Sequence, residues 1–181
     1  TAYEIYQCDW SSDVCSSDLI TEVCARAGLD VVVVESSDEA AKAGTARLES
    51  SLQRAVDRGK LENAQEVLDR IHVVTDLEQL ADRDLVIEAI VEDEDAKTAV
   101  FRELDRIVGS PDAILASNTS SIPIMKLAVA TSRPAQVMGI HFFNPVPVLK
   151  LVELVPSLLT AEETTERGRS FVQDRSEEHT S

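Results

Sequence analysis

The chain has 181 residues, of which 33 are Asp or Glu and 17 are Lys or Arg, so its net charge is −16 at pH 7. This excess of acid argues against nucleic acid and against anionic membranes as partners. Hydrophobic residues make up 44% of the sequence, and no apolar run approaches the roughly 18–20 residues that a membrane-spanning helix needs.

The two ends of the chain differ in composition from the rest. Residues 1–19 contain no Lys or Arg, hold both Tyr and the single Trp, and follow neither a helical nor a strand period. We expect them to pack loosely and irregularly, as a disordered tail does. They also resemble the in-frame translation of a sequencing-library adapter, as does "RSEEHTS" at 175–181. We therefore predict that residues 1–19 and 175–181 are non-native and that residues 20–174 form the native unit.

From residue 20 onward, helical and strand patterns alternate. The first are a helix end at 20–27 stopped by Gly28, a buried β-branched strand at 30–35, and a long helix from an Asp38 cap to Gly59. Further helices are predicted at 61–70, 94–108, 122–130 and 161–173. Further strands are predicted at 71–74, 84–90, 113–116, 136–143 and 149–155. This order predicts an α/β protein with a Rossmann-like, doubly wound and mostly parallel sheet.

Polar residues collect at the carboxyl ends of the predicted strands, where a sheet of this kind binds its ligand. They are Glu35, Glu92 and the segments 117–121 and 141–144. The second half of a dinucleotide-binding βαβ unit consists of a helix end, a glycine, a strand and a terminal acid, and residues 20–35 have this order, with Gly28 and Glu35. The first half of such a unit is a strand followed by G-x-G-x-x-G. No such motif occurs in the chain. We therefore predict that the native first strand and the glycine loop are missing.

Glu35 is the residue from which the preference between NAD and NADP can be predicted. A carboxylate at the end of the second strand can accept hydrogen bonds from both ribose hydroxyls and would repel a 2′-phosphate, so it favours NAD over NADP. The alternative is a solvated carboxylate at a strand end, and spacing alone does not decide between the two. The three Cys have no metal-binding spacing, so we expect no metal site, no disulfide framework and a reducing, cytoplasmic location.

Three segments, "EAIVEDEDAK", "ILASNTSSI" and "GIHFFNPVPVLKLVE", resemble the 3-hydroxyacyl-CoA dehydrogenase family, in particular its bacterial 3-hydroxybutyryl-CoA dehydrogenases. The resemblance covers nearly all of residues 20–174. It implies NAD-dependent oxidation of an (S)-3-hydroxyacyl-CoA to the 3-oxoacyl-CoA, with 3-hydroxybutyryl-CoA as the expected substrate. Acyl-CoA is then the expected partner.

The resemblance also implies roles for four residues near the reaction. His141 would be the acid/base that takes the proton of the 3-hydroxyl, and Glu153 would orient the imidazole and stabilise its charged form. The turn "NPVP" between two neighbouring strands could bring them together. Ser120 and Asn144 would hydrogen-bond the substrate oxygen and the cofactor. The alternatives are a structural His, a solvated Glu and a polar turn that caps the following helix.

Four further residues match family positions that contact ligands. Glu92 and Lys97 would lie near the ribose and nicotinamide side of NAD; the alternative is an exposed helical charge pair at i, i+5, a spacing that pairs poorly. Ser51 and Arg58 would contact coenzyme A from the long helix, with Arg58 in place of the more usual Lys. The alternative for this second pair is a solvated helix face.

Two departures from the family pattern argue against activity of the chain as written. The glycine loop and the native first strand are missing, and so is the helical C-terminal domain through which the parent enzyme is expected to form a homodimer. Loss of that central strand would leave its neighbours with exposed edges that favour aggregation. We therefore expect a poorly soluble fragment without NAD-linked turnover. Alternatives are the dehydrogenase part of a multifunctional fatty-acid oxidation subunit, or a non-catalytic chimeric or crystallin-like protein.

Overall fold

The computed structural model describes residues 3–6, 16–143 and 152–176, with side chains for 17–143 and 152–173. Its strands form one sheet in the order β3-β2-β1-β4-β5-β6-β7. Neighbouring strands run parallel, except that β7 is antiparallel to β6. The strands are Tyr3–Tyr6 (β1), Val31–Val34 (β2), Ile71–Val74 (β3), Leu85–Glu88 (β4), Ile114–Ser117 (β5), Val137–Phe142 (β6) and Val152–Pro156 (β7). The predicted fold class is therefore confirmed.

Helices alternate with these strands. They are Ser16–Arg26 (α1), Asp38–Asp57 (α2), Ala64–Leu68 (α3), Glu94–Ile107 (α4), Ile124–Ala128 (α5) and Glu162–Ser176 (α6). Gly28 and Gly59 follow α1 and α2 with positive φ (80° and 65°), as the predicted helix stops require. The side chain of Ser37, rather than Asp38, caps α2. None of the helices in this described part combines the length and apolar character that crossing a membrane requires.

The sheet is covered on both faces, which explains why its central strands are continuous apolar runs. One core cluster contains Val33 and Ile87 together with residues of α1, α2, α3 and α6. The other contains Val34 and Val86 together with residues of α4 and α5. Alternate residues of a strand point to opposite faces of the sheet, so the same strands contribute side chains to both clusters.

The prediction that residues 1–19 are irregular is wrong for the described part of that segment, which holds a strand and the start of a helix. That the native first strand is missing stays a prediction, because the observed strand lies within the segment predicted to be non-native. Tyr3–Tyr6 is the central strand, paired in parallel with both β2 and β4. Helix α1 begins at Ser16, and Ser17 and Leu19 are buried. "YEIY" combines aromatic and β-branched residues, which favour strands. The facing edges of β2 and β4 expose backbone groups that need hydrogen-bond partners, and a four-residue run satisfies them.

Candidate active site

The carboxyl ends of β4, β5 and β6 lie side by side, because the three strands are parallel neighbours. Glu88 is in register with Ser117, and Ser117 is in register with Gly139. The segments that follow these strands therefore leave the sheet at the same edge. His141 lies on β6, two residues beyond Gly139.

His141 and Glu153 face each other across the antiparallel pair β6–β7. They are register partners, and Nδ1 of His141 lies 3.7 Å from Oε2 of Glu153, within ion-pair distance. The imidazole is 18% exposed and its ring centroid is 4.5 Å from that of Phe143. Phe142 belongs to the core cluster on the α6 side, so alternation directs His141 to the face that carries α5. The carboxylate faces one ring nitrogen and leaves Nε2 for a reacting group.

The loop after β5 is organised around Glu92. Its Oε1 accepts hydrogen bonds from the N–H groups of Ser120 and Ser121, both at 3.1 Å, and from the hydroxyls of Ser121 and Thr119. Ser120 is exposed, and its hydroxyl makes no hydrogen bond to the part of the chain that the structure describes. The arrangement therefore fixes the backbone at Ser120 and leaves its side chain for a ligand.

Burial alone would raise the pKa of Glu92, but its surroundings have the larger effect. Hydrogen bonds from the Thr119 and Ser121 hydroxyls, the charge of Lys97 and the N–H of Ser121 together lower this pKa to about 2. Glu92 is therefore ionised at any working pH. A permanent carboxylate is a steady acceptor for the loop.

Lys97 is not an exposed partner of Glu92, so that alternative interpretation is wrong. Its side chain is 1% exposed, and its ammonium lies 2.6 Å from Glu88 Oε1 and 3.4 Å from Glu92 Oε2. Glu88 is fully buried, and its other oxygen accepts a hydrogen bond from the Ser117 hydroxyl at 2.6 Å. The sequence analysis missed Glu88. Its one signal was an acid inside the buried strand "DLVIEAI".

Glu35 follows β2 and is only 3% exposed, so a solvated carboxylate is also wrong. Its Oε1 has no hydrogen-bond partner among the described residues. Burial and the neighbouring charge of Asp18 raise the pKa of Glu35, against an opposing effect of Arg47. Arg47 pairs with Asp18, whose pKa is raised by burial despite that pairing. An unpaired acceptor in this position suits a hydroxyl donor such as a ribose.

Three sequence-predicted site residues are not brought to His141. The hydroxyl of Ser51 donates to Glu22 Oε2 at 2.6 Å, within the contact between α1 and α2. Arg58 is exposed at the end of α2, which packs beside β3 at the opposite end of the sheet from β6 and β7. Asn144 lies outside the described residues.

The site fits NAD in part. The chain order of the strands reverses between β1 and β4, where sheets of this type bind dinucleotides. A cavity of about 450 Å³ adjoins Glu35, lined by the ends of β2 and β3 and by α4. However, the segment at 7–15 that joins β1 to α1 contains no Gly. Backbone approach to a pyrophosphate normally requires glycines there, so the residues suit the ribose end and the reacting end but not the phosphates.

Comparison with known proteins agrees with this geometry. Residues 17–178 match the family model described as 3-hydroxyacyl-CoA dehydrogenase, NAD binding domain. A 3-hydroxybutyryl-CoA dehydrogenase of Mycobacterium tuberculosis is 54% identical over 154 residues, which are 84% of this chain and 54% of that protein. The chain thus spans about half the length of this curated relative.

Solved structures give the same result. The crystal structure of FadB2 from M. tuberculosis matches with a TM-score of 0.90 and 48% identity, over 95% of this chain and 59% of that one. (S)-3-hydroxybutyryl-CoA dehydrogenase PaaH1 from Ralstonia eutropha matches with a TM-score of 0.88 and 38% identity, over 97% and 60%. The resemblance noted in the sequence is confirmed.

Proposed function

Because the chain belongs to the 3-hydroxyacyl-CoA dehydrogenase family, we propose that its dehydrogenase chemistry is the NAD-dependent oxidation of (S)-3-hydroxybutyryl-CoA to the 3-oxoacyl-CoA. The observation that carries the proposal is the pair formed by His141 and Glu153, 3.7 Å apart across β6 and β7. The names of the relatives support the four-carbon acyl group.

His141 acts as the acid/base. Its Nε2 accepts the proton of the substrate's 3-hydroxyl during oxidation and returns it in the reverse direction. Glu153 stabilises the charged imidazolium and keeps the ring in one orientation. The Ser120 hydroxyl donates to the 3-oxygen, together with Asn144. When bound, NAD supplies the acceptor for the hydride that leaves the same carbon.

Glu35 accepts hydrogen bonds from the adenosine ribose, and its charge disfavours a 2′-phosphate. Glu92 and Lys97 lie near the ribose and nicotinamide side of NAD. Glu92 also fixes the loop that carries Ser120, because it accepts hydrogen bonds from that loop. Arg58 attracts a phosphate of coenzyme A from its exposed position. Contact between coenzyme A and Ser51 would have to compete with the hydrogen bond from Ser51 to Glu22. We also propose that the parent protein is a cytoplasmic homodimer.

We propose that residues 1–19 and 175–181 are foreign to this protein, and that the first of these segments removes the phosphate site. Turnover by the 181-residue chain is then expected to be absent, even though His141 and Glu153 meet. Reading the source DNA across 19/20 and 174/175 tests the origin of the segments. Continuous genomic sequence across both junctions would contradict it.

Kinetics on the complete protein to which residues 20–174 belong test the function. With (S)-3-hydroxybutyryl-CoA and NAD, we expect H141A to lower kcat by at least about 100-fold, because general acid–base catalysis contributes that much. E153Q should lower kcat less. The matched control is H72A, since His72 is an exposed residue of β3 far from β6. Equal activity of H141A and H72A would refute the proposal.

A further inference from the structure

The parallel pairing between β5 and β6 ends before β6 does. Its last register pair is Ser117 with Gly139, yet β6 continues to Phe142 and carries His141 in this extension. On the other edge, β7 accompanies the extension as far as the pair of Phe142 with Val152. The edge that faces β5 therefore needs partners other than the backbone of a strand.

Asn118, the first residue after β5, provides such a partner through its side chain. The N–H of Phe142 donates to Asn118 Oδ1 at 2.8 Å. The amide oxygen takes the place that the next β5 carbonyl would have, so the strand end is held from both edges. We propose that Asn118 is a positioning residue for His141, because it fixes the backbone from which the imidazole meets Glu153. This inference rests on the role proposed for His141.

The anchor of Asn118 is rigid on its own side. Its N–H donates to the carbonyl oxygen of Glu88 at 2.8 Å, in continuation of the β4–β5 pairing. The residue before it, Ser117, is bonded to the buried Glu88 carboxylate, and the residue after it, Thr119, is bonded to Glu92. Asn118 therefore connects the β6 extension to the polar network of Glu88 and Glu92, and movement of its side chain is restricted.

The chemistry of the contact specifies the residue type. A backbone N–H requires an acceptor, and an Asn side chain offers one carbonyl oxygen at the correct reach. Asp at this position would keep an acceptor, whereas Ala would leave the Phe142 N–H without its partner. N118D is therefore the conservative variant and N118A the disruptive one.

Nuclear magnetic resonance of the 181-residue chain tests the inference without turnover. In N118A, hydrogen exchange of the Phe142 amide should become at least about fivefold faster, which corresponds to about 1 kcal/mol for one hydrogen bond. The ring protons of His141 should shift, because the nearby Phe143 ring produces a ring-current effect that depends on their geometry. N118D should restore slow exchange and most of the ring shift.

The matched control is N63A. Asn63 also accepts a backbone N–H, that of Gln65 at 2.9 Å, but it does so at the start of α3. N63A should lower thermal stability without moving either His141 or Phe142. If N118A affects these two residues no more than N63A does, the inference is wrong. In the unmodified chain, a scalar coupling between Phe142 nitrogen and Asn118 Cγ is expected, and its absence would overturn the inference even if N118A fails to fold. Failure of H141A to reduce kcat would refute only the proposed function.

Discussion

Replacing Lys97 by Met removes one partner of the buried ion pair with Glu88 and keeps a side chain of similar length. The two side chains are 1% and 0% exposed and meet at 2.6 Å. After the change, the Glu88 carboxylate stays inside the protein, and its partners among the described residues are the Ser117 hydroxyl and the Ile90 N–H. An uncompensated buried charge is costly because water cannot solvate it.

The expected loss of stability is about 3–5 kcal/mol, the range observed when one partner of a buried pair is removed. With an m-value of about 2 kcal/mol/M in urea, this loss lowers the unfolding midpoint by about 1.5–2.5 M. The matched control is K126M. Lys126 pairs with Glu94 at 2.7 Å, but both side chains are about half exposed, so the expected loss is below about 1 kcal/mol.

Urea unfolding followed by far-ultraviolet circular dichroism measures both variants. The double variant E88Q/K97M should recover part of the stability lost in K97M, because a neutral amide replaces the unpaired buried carboxylate. The Ser117 hydroxyl and the Ile90 N–H remain as partners of residue 88. If K97M costs no more than K126M, or if E88Q/K97M is less stable than K97M, the assignment of a buried, mutually dependent pair is refuted.

Three further predictions concern the same site and its support. The lowered pKa of Glu92 makes its ionised form stabilising above pH 4.5, so the difference in urea midpoint between wild type and E92Q should shrink as pH falls from 4.5 towards 2; a constant difference would contradict this. Because the pKa of Glu35 is raised, its favourable contribution is present below pH 4.5 and is lost as pH rises through the higher folded-state value. E35Q should therefore raise the midpoint more at pH 7 than at pH 4, whereas the control E49Q, at an exposed position in the middle of α2, should change the midpoint less. In G139A the new Cβ would lie 2.9 Å from a branched β7 side chain, so the free energy of unfolding should fall by about 1–3 kcal/mol. In G168A the close contacts of the new Cβ are with the end of a flexible methionine, so the loss should be smaller; thermal unfolding measures both variants.

Local signals in the sequence predicted most of the elements. Continuous β-branched runs gave the central strands, and single glycines gave the ends of α1 and α2. The pairing of His141 with Glu153 could be anticipated because two strands that follow each other closely in the sequence commonly become antiparallel neighbours, with fixed partners across the pair. Such information lies within a few residues of the chain and needs no knowledge of the sheet order.

The charged network could not be read in the same way. An exposed pair of Glu92 and Lys97 was only the alternative interpretation, and their i, i+5 spacing argued against it. Nothing in that spacing indicated that the shorter contact of Lys97 is with a strand residue nine positions earlier. Asn118 gave no signal, because its partner Phe142 is 24 residues away. Such contacts depend on which strands become neighbours, and the sequence determines this order only through the whole fold.

The first strand shows that fold and cofactor binding make different demands on the sequence. A parallel ladder uses backbone groups, so any short run with strand propensity can fill the place between β2 and β4, and Tyr3–Tyr6 does so. A pyrophosphate makes a further demand, because its oxygens must approach backbone N–H groups at a position where side chains would block them. The segment between β1 and α1 has no Gly, and Asp18 adds a carboxylate beside Glu35. A strand at the centre of the sheet therefore does not by itself supply a phosphate site.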